Sequence, residues 1–291
     1  MTEEYGILAY PAKHSLSPLV YSSTFKSLGI DARYSFFEIK DTDFDSFMKN
    51  LKESGIRGLS VSLPYKEAVI KYLDEIDEDA EKIGAVNTIV KKGKKLFGYN
   101  TDFFGSNEAI KEVFGDLKKV NAVVLGAGGA AKGIVYGLLK EGAKVSAILN
   151  RTKEKSYALA EKFSKMFDVK IGTDMGKIKF ENNMILIHAT STWTLGENKI
   201  SSEISEFLSD DLLRNFYAVM EASYNPLITP LVLKTRELGL KTIAGDRMFL
   251  YQAKKQFELW TGKKFPFEFA EKILHKALSG VRSQSSLTAK S

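Results

Sequence analysis

The stretch that decides the fold is Asn121 to Gly142, NAVVLGAGGAAKGIVYGLLKEG. Its apolar run, Ala122 to Leu125, has the length of a buried strand, and a glycine-rich turn and a helix-forming segment, Ala130 to Lys140, follow at once. Backbone amides at such a helix start have no partner within the helix, and the helix dipole adds positive potential. The sequence therefore predicts a strand, a turn and a helix, with a turn that can seat a pyrophosphate.

This turn matches the dinucleotide-binding pattern G-x-G-x-x-G/A. Gly126, Gly128 and Ala131 occupy its three defining positions. Glycine at the first position permits the tight turn, and glycine at the second lets a phosphate approach the backbone. Alone the pattern is a weak signal, so its weight depends on the strand that follows.

The next predicted strand, Lys144 to Leu149, ends in the tripeptide NRT, residues 150–152. An acidic residue there would bind a ribose 2′-hydroxyl, whereas an arginine can hold a 2′-phosphate. Arg151, helped by Lys153 or Lys155, therefore favours NADP over NAD. The alternative is that the threonine of this tripeptide is a helix N-cap followed by solvated charge.

Length and composition bound the remaining possibilities. The chain has 291 residues, enough for two domains, and no cysteine, which excludes disulfides, thiolate metal ligands and a cysteine nucleophile. Its net charge of +6 comes from lysines interleaved with acidic residues, which we interpret as solvated helix faces rather than a nucleic-acid surface. Histidines at 14, 188 and 275 lack metal-ligand spacing, so we predict no metal. The N-terminus is unlike a secretory signal and no apolar run approaches the ~20 residues of a membrane span, so we expect a cytoplasmic protein.

A second informative stretch is GLSVSLPYK, residues 58–66. Alternation places its leucines and valine on one side of a strand and Ser60 and Ser62 on the other. Pro64 ends that strand, and Lys66 is predicted to start a helix. The dipole at a helix start disfavours a cation, which suits a lysine that gives up its proton. The alternative is an ordinary exposed lysine.

Other polar residues stand where helices are predicted to begin. Ser15 and Ser17 precede a helix from about Leu19 to Leu28, and Ser17 is interpreted as either its N-cap or a ligand-binding residue. Asp102 precedes a predicted helix from Phe103 to Phe114 and has the residue type of an N-cap.

The C-terminal part of the chain is predicted to be helical. Arg247 to Trp260 and Phe267 to Leu278 are amphipathic, and the polar residues 280–291 are expected to be disordered. Gln252 and Gln256 lie within the first of these segments, where a glutamine is usually only solvated.

The order of these segments predicts an α/β protein of two domains with an active-site crevice between them. The N-terminal α/β domain comprises residues 1–102 plus about 247–279. The C-terminal, Rossmann-like dinucleotide domain comprises residues 103–246.

Several motifs in one order resemble those of the shikimate dehydrogenases, over the chain up to about residue 279. The matching stretches are YPAKHSLSP, SVSLPYK, GAVNT, GYNTDFFG, GAGGAA, NRT, ATS, YNPLITPL and GDRMFLYQA…WTG. The family is known for reversible, NADP-linked reduction of 3-dehydroshikimate to shikimate, on the route to chorismate and the aromatic amino acids. The resemblance implies that oxidoreductase activity here, with a substrate-binding first domain and an NADP-binding second domain.

The resemblance also assigns roles to individual residues. Lys66 and Asp102 match the catalytic pair, in which the lysine donates a proton to the ketone oxygen and the aspartate orients lysine and hydroxyl, worth about 10²–10⁴-fold in rate. The residues that match substrate contacts are Ser15, Ser17, Ser62, Asn87, Tyr224 and Gln252. The residues that match NADP contacts are Gly126, Ala127, Gly128, Gly129 and Ala130 at the pyrophosphate, Asn150, Arg151, Thr152 and Lys155 at the adenosine phosphate, and Gly245 and Met248 at the nicotinamide.

The sequence departs from the usual family pattern at a few positions. Ser60 stands in place of an asparagine, Ser62 in place of a threonine, and His188 in place of the asparagine that precedes Ala-Thr-Ser. TWTLGEN replaces a glycine-methionine turn, and Asp246-Arg247 replaces an apolar residue and a glycine. The lysine–aspartate pair is unchanged.

Two alternative functions stay open at this point. One is a quinate/shikimate dehydrogenase that uses NAD or both cofactors; the serines at 15 and 17 and Arg151 weigh against it, because quinate-preferring relatives tend to have a threonine in the serine pair and an acid near the second strand end. The other is a non-catalytic dinucleotide-binding sensor, against which Lys66 and Asp102 weigh, since both remain. We expect a monomer or homodimer that binds a small substrate and neither nucleic acid nor a membrane.

Overall fold

The computed structural model describes residues 2–13, 15–190 and 209–288, with side chains described as far as residue 279. The chain divides into two compact units. The first unit comprises Met1–Thr101 and Ala253–Ser291, and the second comprises Asp102–Gln252. The boundary between the units at Gln252 and Ala253 lies inside a helix, whereas the sequence suggested a boundary near residue 247.

The first unit contains a six-stranded mixed sheet. Its strands are β1 (Glu3–Ala9), β2 (Ala32–Glu38), β3 (Ile56–Val61), β4 (Glu75–Ile76), β5 (Thr88–Lys92) and β6 (Lys95–Tyr99). They are ordered β2-β1-β3-β5-β6-β4, and β1 pairs parallel with β2 and β3, whereas β5 pairs antiparallel with β3 and β6. The segment KKGK, residues 91–94, forms the hairpin turn between β5 and β6, with Gly93 at a φ of +60°.

Helices of the N-terminal segment cover this sheet. They are α1 (Ser17–Ser27), α2 (Asp41–Leu51) and α3 (Glu78–Ile83), with a 3₁₀ helix at Ala68–Tyr72. On α2, Phe44, Met48 and Leu51 recur at helical spacing and enter the core. The same core contains Leu59 and Val61, alternate residues of β3. Each such buried side chain contributes about 1.5–3 kcal/mol through loss of water contact.

The second unit contains a five-stranded sheet in which every pair of neighbours is parallel. Its strands are β7 (Asn121–Leu125), β8 (Lys144–Leu149), β9 (Met184–His188), β10 (Ala218–Glu221) and β11 (Lys241–Ile243). The order β11-β10-β9-β7-β8 reverses its winding between β7 and β9. Doubly wound sheets bind their ligands at the carboxyl ends of the strands at such a reversal, so the predicted Rossmann-like fold is confirmed.

The helices of the second unit lie before, between and after its strands in sequence. They are α4 (Asp102–Phe114), α5 (Gly129–Lys140), α6 (Lys153–Phe167), α7 (Asp210–Leu213), α8 (Pro230–Glu237) and α9 (Gly245–Thr261), of which α9 continues into the first unit. The last helix, α10 (Phe267–Thr288), extends beyond residue 279, where we expected the folded part to end.

The C-terminal half of α9 lies against the first sheet through Trp260. A Cβ on Gly58 of β3 would come within 2.4 Å of the Trp260 indole nitrogen, so glycine at this position permits the contact. The indole nitrogen donates to the Ile89 carbonyl at 2.9 Å. The rings of Tyr5 and Tyr21 surround the indole, with centroid distances of 5.5 and 5.2 Å. The tryptophan of the WTG motif is therefore half-buried and packs against the core of the first unit.

Candidate active site

The turn between β7 and α5 has the geometry of a pyrophosphate cradle. Gly126 has a φ of +121°, and a Cβ on it would lie 2.6 Å from the Ala189 carbonyl oxygen, so only glycine fits. At Gly128 no described atom lies within 4 Å of the position a Cβ would take. The first bond of α5 runs from the Lys132 amide to the Gly128 carbonyl at 2.9 Å, so the amides before it point out of the helix end. An open glycine beside outward amides fits the pyrophosphate of a dinucleotide.

The other predicted residues of this turn lie in it as well. Ala127 is buried, and Ala130 is half-buried next to Gly129 in the first turn of α5. The Gly126 amide donates to the Leu149 carbonyl at 2.7 Å, which ties the turn to the end of β8. Small side chains leave the backbone of the turn open to a phosphate.

Positive charge gathers where β8 ends and α6 begins. Arg151, Lys153 and Lys155 are exposed there, and Asn150 donates from Nδ2 to the Thr152 carbonyl at 2.9 Å. Thr152 occupies the N-cap position of α6, but its side chain accepts no cap hydrogen bond. The N-cap position is therefore as the alternative has it, although the threonine side chain does not cap the helix, and the exposed cations at this helix start fit a ligand phosphate.

The segment after β10 lies against the first turn of α9. A Cβ on Gly245 would lie 2.3 Å from the Ser223 carbonyl oxygen, so glycine permits the two backbones to touch. The Tyr224 ring contacts the Phe249 ring in a tilted arrangement at a centroid distance of 4.3 Å, and Met248 is buried. Three of the predicted ligand-binding residues, Tyr224, Gly245 and Met248, therefore lie around one helix turn.

Gln252 and Asp102 are positioned by the contact of α4 with α9. A Cβ on Gly105 of α4 would come within 2.7 Å of the Met248 carbonyl and 2.9 Å of the Gln252 Cβ. Asp102, one turn earlier on α4, is 4% exposed. It is the first residue of the helix itself, so the prediction of an N-cap is wrong by one position.

The two serines before α1 bond to each other. The Ser15 hydroxyl donates to the Ser17 hydroxyl at 3.0 Å and accepts the Ser17 backbone N–H at 3.2 Å. α1 begins at Ser17 itself, and the N-cap position belongs to Leu16, which makes no side-chain cap. The interpretation of Ser17 as the N-cap is therefore wrong, and Ser15 serves the helix start instead.

Lys66 lies in a turn rather than at the start of a helix. Residues 63–67 form turns, and only the short 3₁₀ helix Ala68–Tyr72 follows, so the argument from a helix dipole fails. The Lys66 side chain is half-buried, which also excludes the fully exposed alternative. Its carbonyl accepts the Val86 amide at 2.7 Å, and the Ser62 amide donates to the Leu8 carbonyl at 2.9 Å. Backbone hydrogen bonds thus join the segment SVSLPYK to the segment GAVNT and to the end of β1.

Asn87 is buried and held on several sides. Its Oδ1 accepts the Thr101 amide at 2.7 Å and the Thr88 hydroxyl at 2.8 Å, while its Nδ2 lies 3.0 Å from the Thr101 hydroxyl. Its carbonyl accepts the Val61 amide at 2.7 Å, which places it next to Ser62. The first unit therefore brings Asn87, Ser62 and Lys66 together, as the motifs imply.

The buried state of Gln256 was missed, because we interpreted mid-helix glutamines as solvated. It is 1% exposed, and its Oε1 accepts the hydroxyls of Tyr21 at 2.6 Å and Ser60 at 2.8 Å. Its Nε2 donates to the Asn87 carbonyl at 3.0 Å and to the Thr88 hydroxyl at 2.8 Å. Helical spacing carries the signal, since Gln256 lies one turn from Trp260 on the buried face of α9.

Some predicted features lie outside the described residues, namely His14, the serine of ATS and the TWTLGEN segment. Among the described residues, the histidines and carboxylates form no group of three that could hold a metal ion. None of the helices in the part of the chain that the structure describes is long and apolar enough to cross a membrane.

Comparison with protein families yields three matches along the chain. Residues 7–89 match the shikimate dehydrogenase substrate binding domain, residues 108–205 match shikimate / quinate 5-dehydrogenase, and residues 247–274 match the shikimate 5′-dehydrogenase C-terminal domain. The matches follow the order of the motifs that we recognised in the sequence.

Individual relatives resemble the chain over nearly its whole length. A shikimate dehydrogenase (NADP(+)) of Caldanaerobacter subterraneus subsp. tengcongensis is 39% identical over 280 residues, 94% of this chain and 96% of the relative. One of Pyrococcus furiosus is 40% identical over 274 residues, covering 94% and 95%. The crystal structure of shikimate 5-dehydrogenase from Thermus thermophilus in complex with NADP(H) and shikimate superposes with a TM-score of 0.81 at 30% identity, covering 95% and 99%.

Proposed function

The chain belongs to the shikimate dehydrogenase family, and we propose that it catalyses the reversible NADP-linked reduction of 3-dehydroshikimate to shikimate. The observation that carries this proposal is that the pyrophosphate turn at residues 126–128, with Arg151 at the next strand end, occurs in the same chain as Ser62, Lys66 and Asn87, whose segments are joined by backbone hydrogen bonds. We assign substrate binding and catalysis to the first domain and NADP binding to the second, with the domain limits predicted from the sequence.

The second unit supplies the groups that would hold NADP. The outward amides of Gly128, Gly129 and Ala130 suit the pyrophosphate, with Ala127 and Gly126 shaping the turn. A guanidinium can bind a phosphate with two parallel hydrogen bonds, which suits Arg151 to a 2′-phosphate. The neighbouring residues Asn150, Thr152 and Lys155 complete this end, and Gly245 and Met248 are assigned to the nicotinamide end. NADPH, when bound, supplies the hydride.

Hydroxyl and amide groups would hold the substrate. Shikimate carries a carboxylate and three hydroxyls, which need donors and acceptors in fixed positions rather than apolar walls. The Ser17 hydroxyl accepts the Ser15 proton and keeps its own proton to donate to the carboxylate, whereas Ser15 would have to turn its hydroxyl from Ser17 to the ligand. The residues assigned to the carboxylate or the hydroxyls besides this pair are Ser62, Asn87, Tyr224 and Gln252.

Lys66 and Asp102 are proposed as the acid–base pair. Reduction adds a hydride to the ketone carbon and a proton to its oxygen, so a positioned acid must deliver that proton. The Lys66 ammonium donates it and becomes an amine, which solvent then reprotonates. Asp102 accepts a hydrogen bond from the reacting hydroxyl or from the lysine and so orients them. In the oxidation of shikimate the same groups act in the opposite direction, and the Lys66 amine accepts the hydroxyl proton.

The experiment that tests this function is an initial-rate assay at the absorbance band of reduced nicotinamide. Shikimate and quinate are each paired with NADP and NAD. We expect fast turnover with shikimate and NADP only. Turnover with quinate or NAD would support the broader relative and remove the role of Arg151, and no turnover in any pairing would support a dinucleotide-binding sensor. A cytoplasmic location and a monomeric or homodimeric state remain predictions from the sequence.

A further inference from the structure

A buried histidine–carboxylate pair lies at the carboxyl edge of the second sheet, and no proposed step uses it. His188 is the last residue of β9 and Glu221 the last residue of β10, and the two face each other in the parallel register. Both are 0% exposed, and the His188 Nδ1 lies 3.0 and 2.9 Å from the two carboxylate oxygens. Burying a carboxylate is costly unless every lone pair finds a donor, so its other partners decide what it does.

Donors surround the Glu221 carboxylate. The Ser223 amide donates to Oε1 at 2.9 Å, and the Thr229 hydroxyl donates to Oε2 at 3.2 Å. The Thr229 oxygen accepts the Val232 amide at 3.2 Å as the N-cap of α8, so its own proton is directed to Glu221. The carboxylate thus holds together the end of β10 and the start of α8.

The pairing of hydrogen-bond donors with acceptors also fixes the orientation of the His188 ring. A carboxylate only accepts hydrogen bonds, so Nδ1 of His188 carries the proton between them. In the neutral ring Nε2 then accepts, and the Thr190 hydroxyl lies 2.6 Å from it. Glu221 therefore sets the tautomer of His188, and His188 sets the direction of the Thr190 hydroxyl.

Thr190 and Ser223 are the points at which this network meets the proposed cofactor residues. A Cβ on Gly126 would lie 3.3 Å from the Thr190 amide nitrogen, and one on Gly245 would lie 2.3 Å from the Ser223 carbonyl oxygen. The hydrogen-bond network of Thr190, His188, Glu221 and Ser223 therefore lies along the carboxyl ends of neighbouring strands. It extends from the pyrophosphate turn to the start of α9.

We propose that His188 and Glu221 are a positioning pair that fixes Thr190 and the segment at Ser223 for the nicotinamide half of the dinucleotide. The inference rests on the proposed function, because it takes the dinucleotide as the ligand of this edge. A buried ionisable pair is a poor source of stability compared with apolar residues of the same volume, so its presence at this edge is explained by positioning. The adenosine end of the ligand lies at Arg151, beyond the reach of this network in the proposed arrangement.

The test compares two ligands on one set of variants. NADPH contains both halves of the dinucleotide, whereas adenosine 2′,5′-bisphosphate contains the phosphorylated adenosine and no nicotinamide. Dissociation constants are measured by calorimetry without substrate. In Glu221→Gln, which keeps the shape but not the charge, we expect NADPH to bind about tenfold more weakly and the bisphosphate to bind as in the wild type.

Two further variants separate positioning from stability. Thr190→Val removes the half-exposed hydroxyl and leaves the His188–Glu221 pair in place, so it tests the proposal even if Glu221→Gln does not fold. We again expect weaker binding of NADPH and unchanged binding of the bisphosphate. Thr235→Val removes a partly buried hydrogen bond between the Thr235 and Thr242 hydroxyls, 2.9 Å apart in the same unit, and should leave both ligands bound normally.

Equal weakening of both ligands, or unchanged NADPH binding in both Glu221→Gln and Thr190→Val, would overturn the positioning role. Shikimate turnover by the wild-type protein is measured separately. Its absence would contradict the proposed reaction, while binding alone decides the role of the pair, so the two failures are distinguishable.

Discussion

At the scale of single residues, the candidate site depends on whether a polar side chain is committed to the protein or available to a ligand. Ser60 and Ser62 lie two positions apart, yet they differ in this respect. Ser60 is buried, accepts the Tyr34 hydroxyl at 2.7 Å and donates to Gln256. Ser62 is half-buried just after β3, where its amide donates to the Leu8 carbonyl.

Replacing these serines one at a time should give opposite results. Ser60→Ala leaves the buried Tyr34 hydroxyl without its acceptor, so we expect the free energy of unfolding to fall by about 1–3 kcal/mol. Ser62→Ala should leave stability within about 0.5 kcal/mol and raise KM for shikimate roughly tenfold, because it removes a ligand contact. Urea unfolding and steady-state kinetics measure the two effects. Loss of stability in Ser62→Ala with an unchanged KM would remove Ser62 from the substrate site.

Arg151 decides the choice of cofactor in this account. Arg151→Ala removes a charge-assisted contact to the 2′-phosphate, so we expect NADPH to bind about 10–100-fold more weakly and NADH to bind unchanged. Lys165→Ala, on the helix α6 that follows Arg151 and paired with Glu161 at 2.6 Å, is the matched control and should alter neither. If Arg151→Ala weakened both cofactors equally, the discrimination would have to come from other residues.

The residue scale is also where sequence reasoning was least complete. The glycines of the pyrophosphate turn were predictable, since a positive φ and a close backbone approach each require glycine. The buried state of Gln256 and Glu221 was not, because residue type favours solvent for both and only tertiary hydrogen bonds reverse that preference. Ser17 was misjudged because the first turn of α1 begins one residue earlier than an N-cap at Ser17 requires, with the Val20 amide donating to the Leu16 carbonyl at 3.1 Å.

At the scale of elements, the contact of α4 with α9 positions two assigned residues. Gly105→Ala should push these helices apart, because the added methyl would meet the Met248 carbonyl at 2.7 Å. We expect a loss of about 1–3 kcal/mol in unfolding free energy, as for other overpacked sites, and lower turnover through displacement of Gln252. Thermal unfolding and kcat are the measurements.

A glycine in open space provides the control for that variant. No described atom lies within 4 Å of the position a Cβ would take on Gly55. Gly55→Ala should therefore leave unfolding free energy within about 1 kcal/mol of the wild type. Equal behaviour of the two alanine variants would show that the close approach at Gly105 has no energetic consequence.

Strands were predicted more closely than helix starts. The limits of β8 agree with the prediction and those of β7 differ by one residue, because both strands bury apolar side chains in a parallel sheet. The helix predicted at Lys66 is a turn because backbone bonds to neighbouring segments, including that of the Val86 amide to the Lys66 carbonyl, hold it. Local signals such as a proline cannot report bonds made by segments distant in sequence.

At the scale of the whole molecule, the chain forms two compact units with different sheets, one mixed and one parallel. The α/β class and the two-domain organisation were predictable from the order of the motifs. The exact division within α9 was not, because an amphipathic helix has no sequence signal for where the unit that it covers changes.

Hydrogen exchange should separate the ligands by unit. NADPH should slow exchange most at the amides of residues 126–131 and around Arg151, since it binds there in this account. Shikimate alone should slow exchange most at residues 15–17 and 60–62. Mass spectrometry of peptides from each unit makes the comparison, and protection by NADPH confined to the first unit would contradict the assignment of domains.

The central claim is that Lys66 delivers the proton in NADP-linked reduction, and its replacement by methionine tests this most directly. Lys66→Met keeps the length of the side chain and removes the ammonium, so we expect kcat to fall about 10²–10⁴-fold while KM for shikimate changes only a few-fold. Lys71→Met, at a lysine 65% exposed in the 3₁₀ helix that follows, is the matched control and should retain wild-type kinetics. A Lys66→Met enzyme with wild-type kcat would contradict the claim.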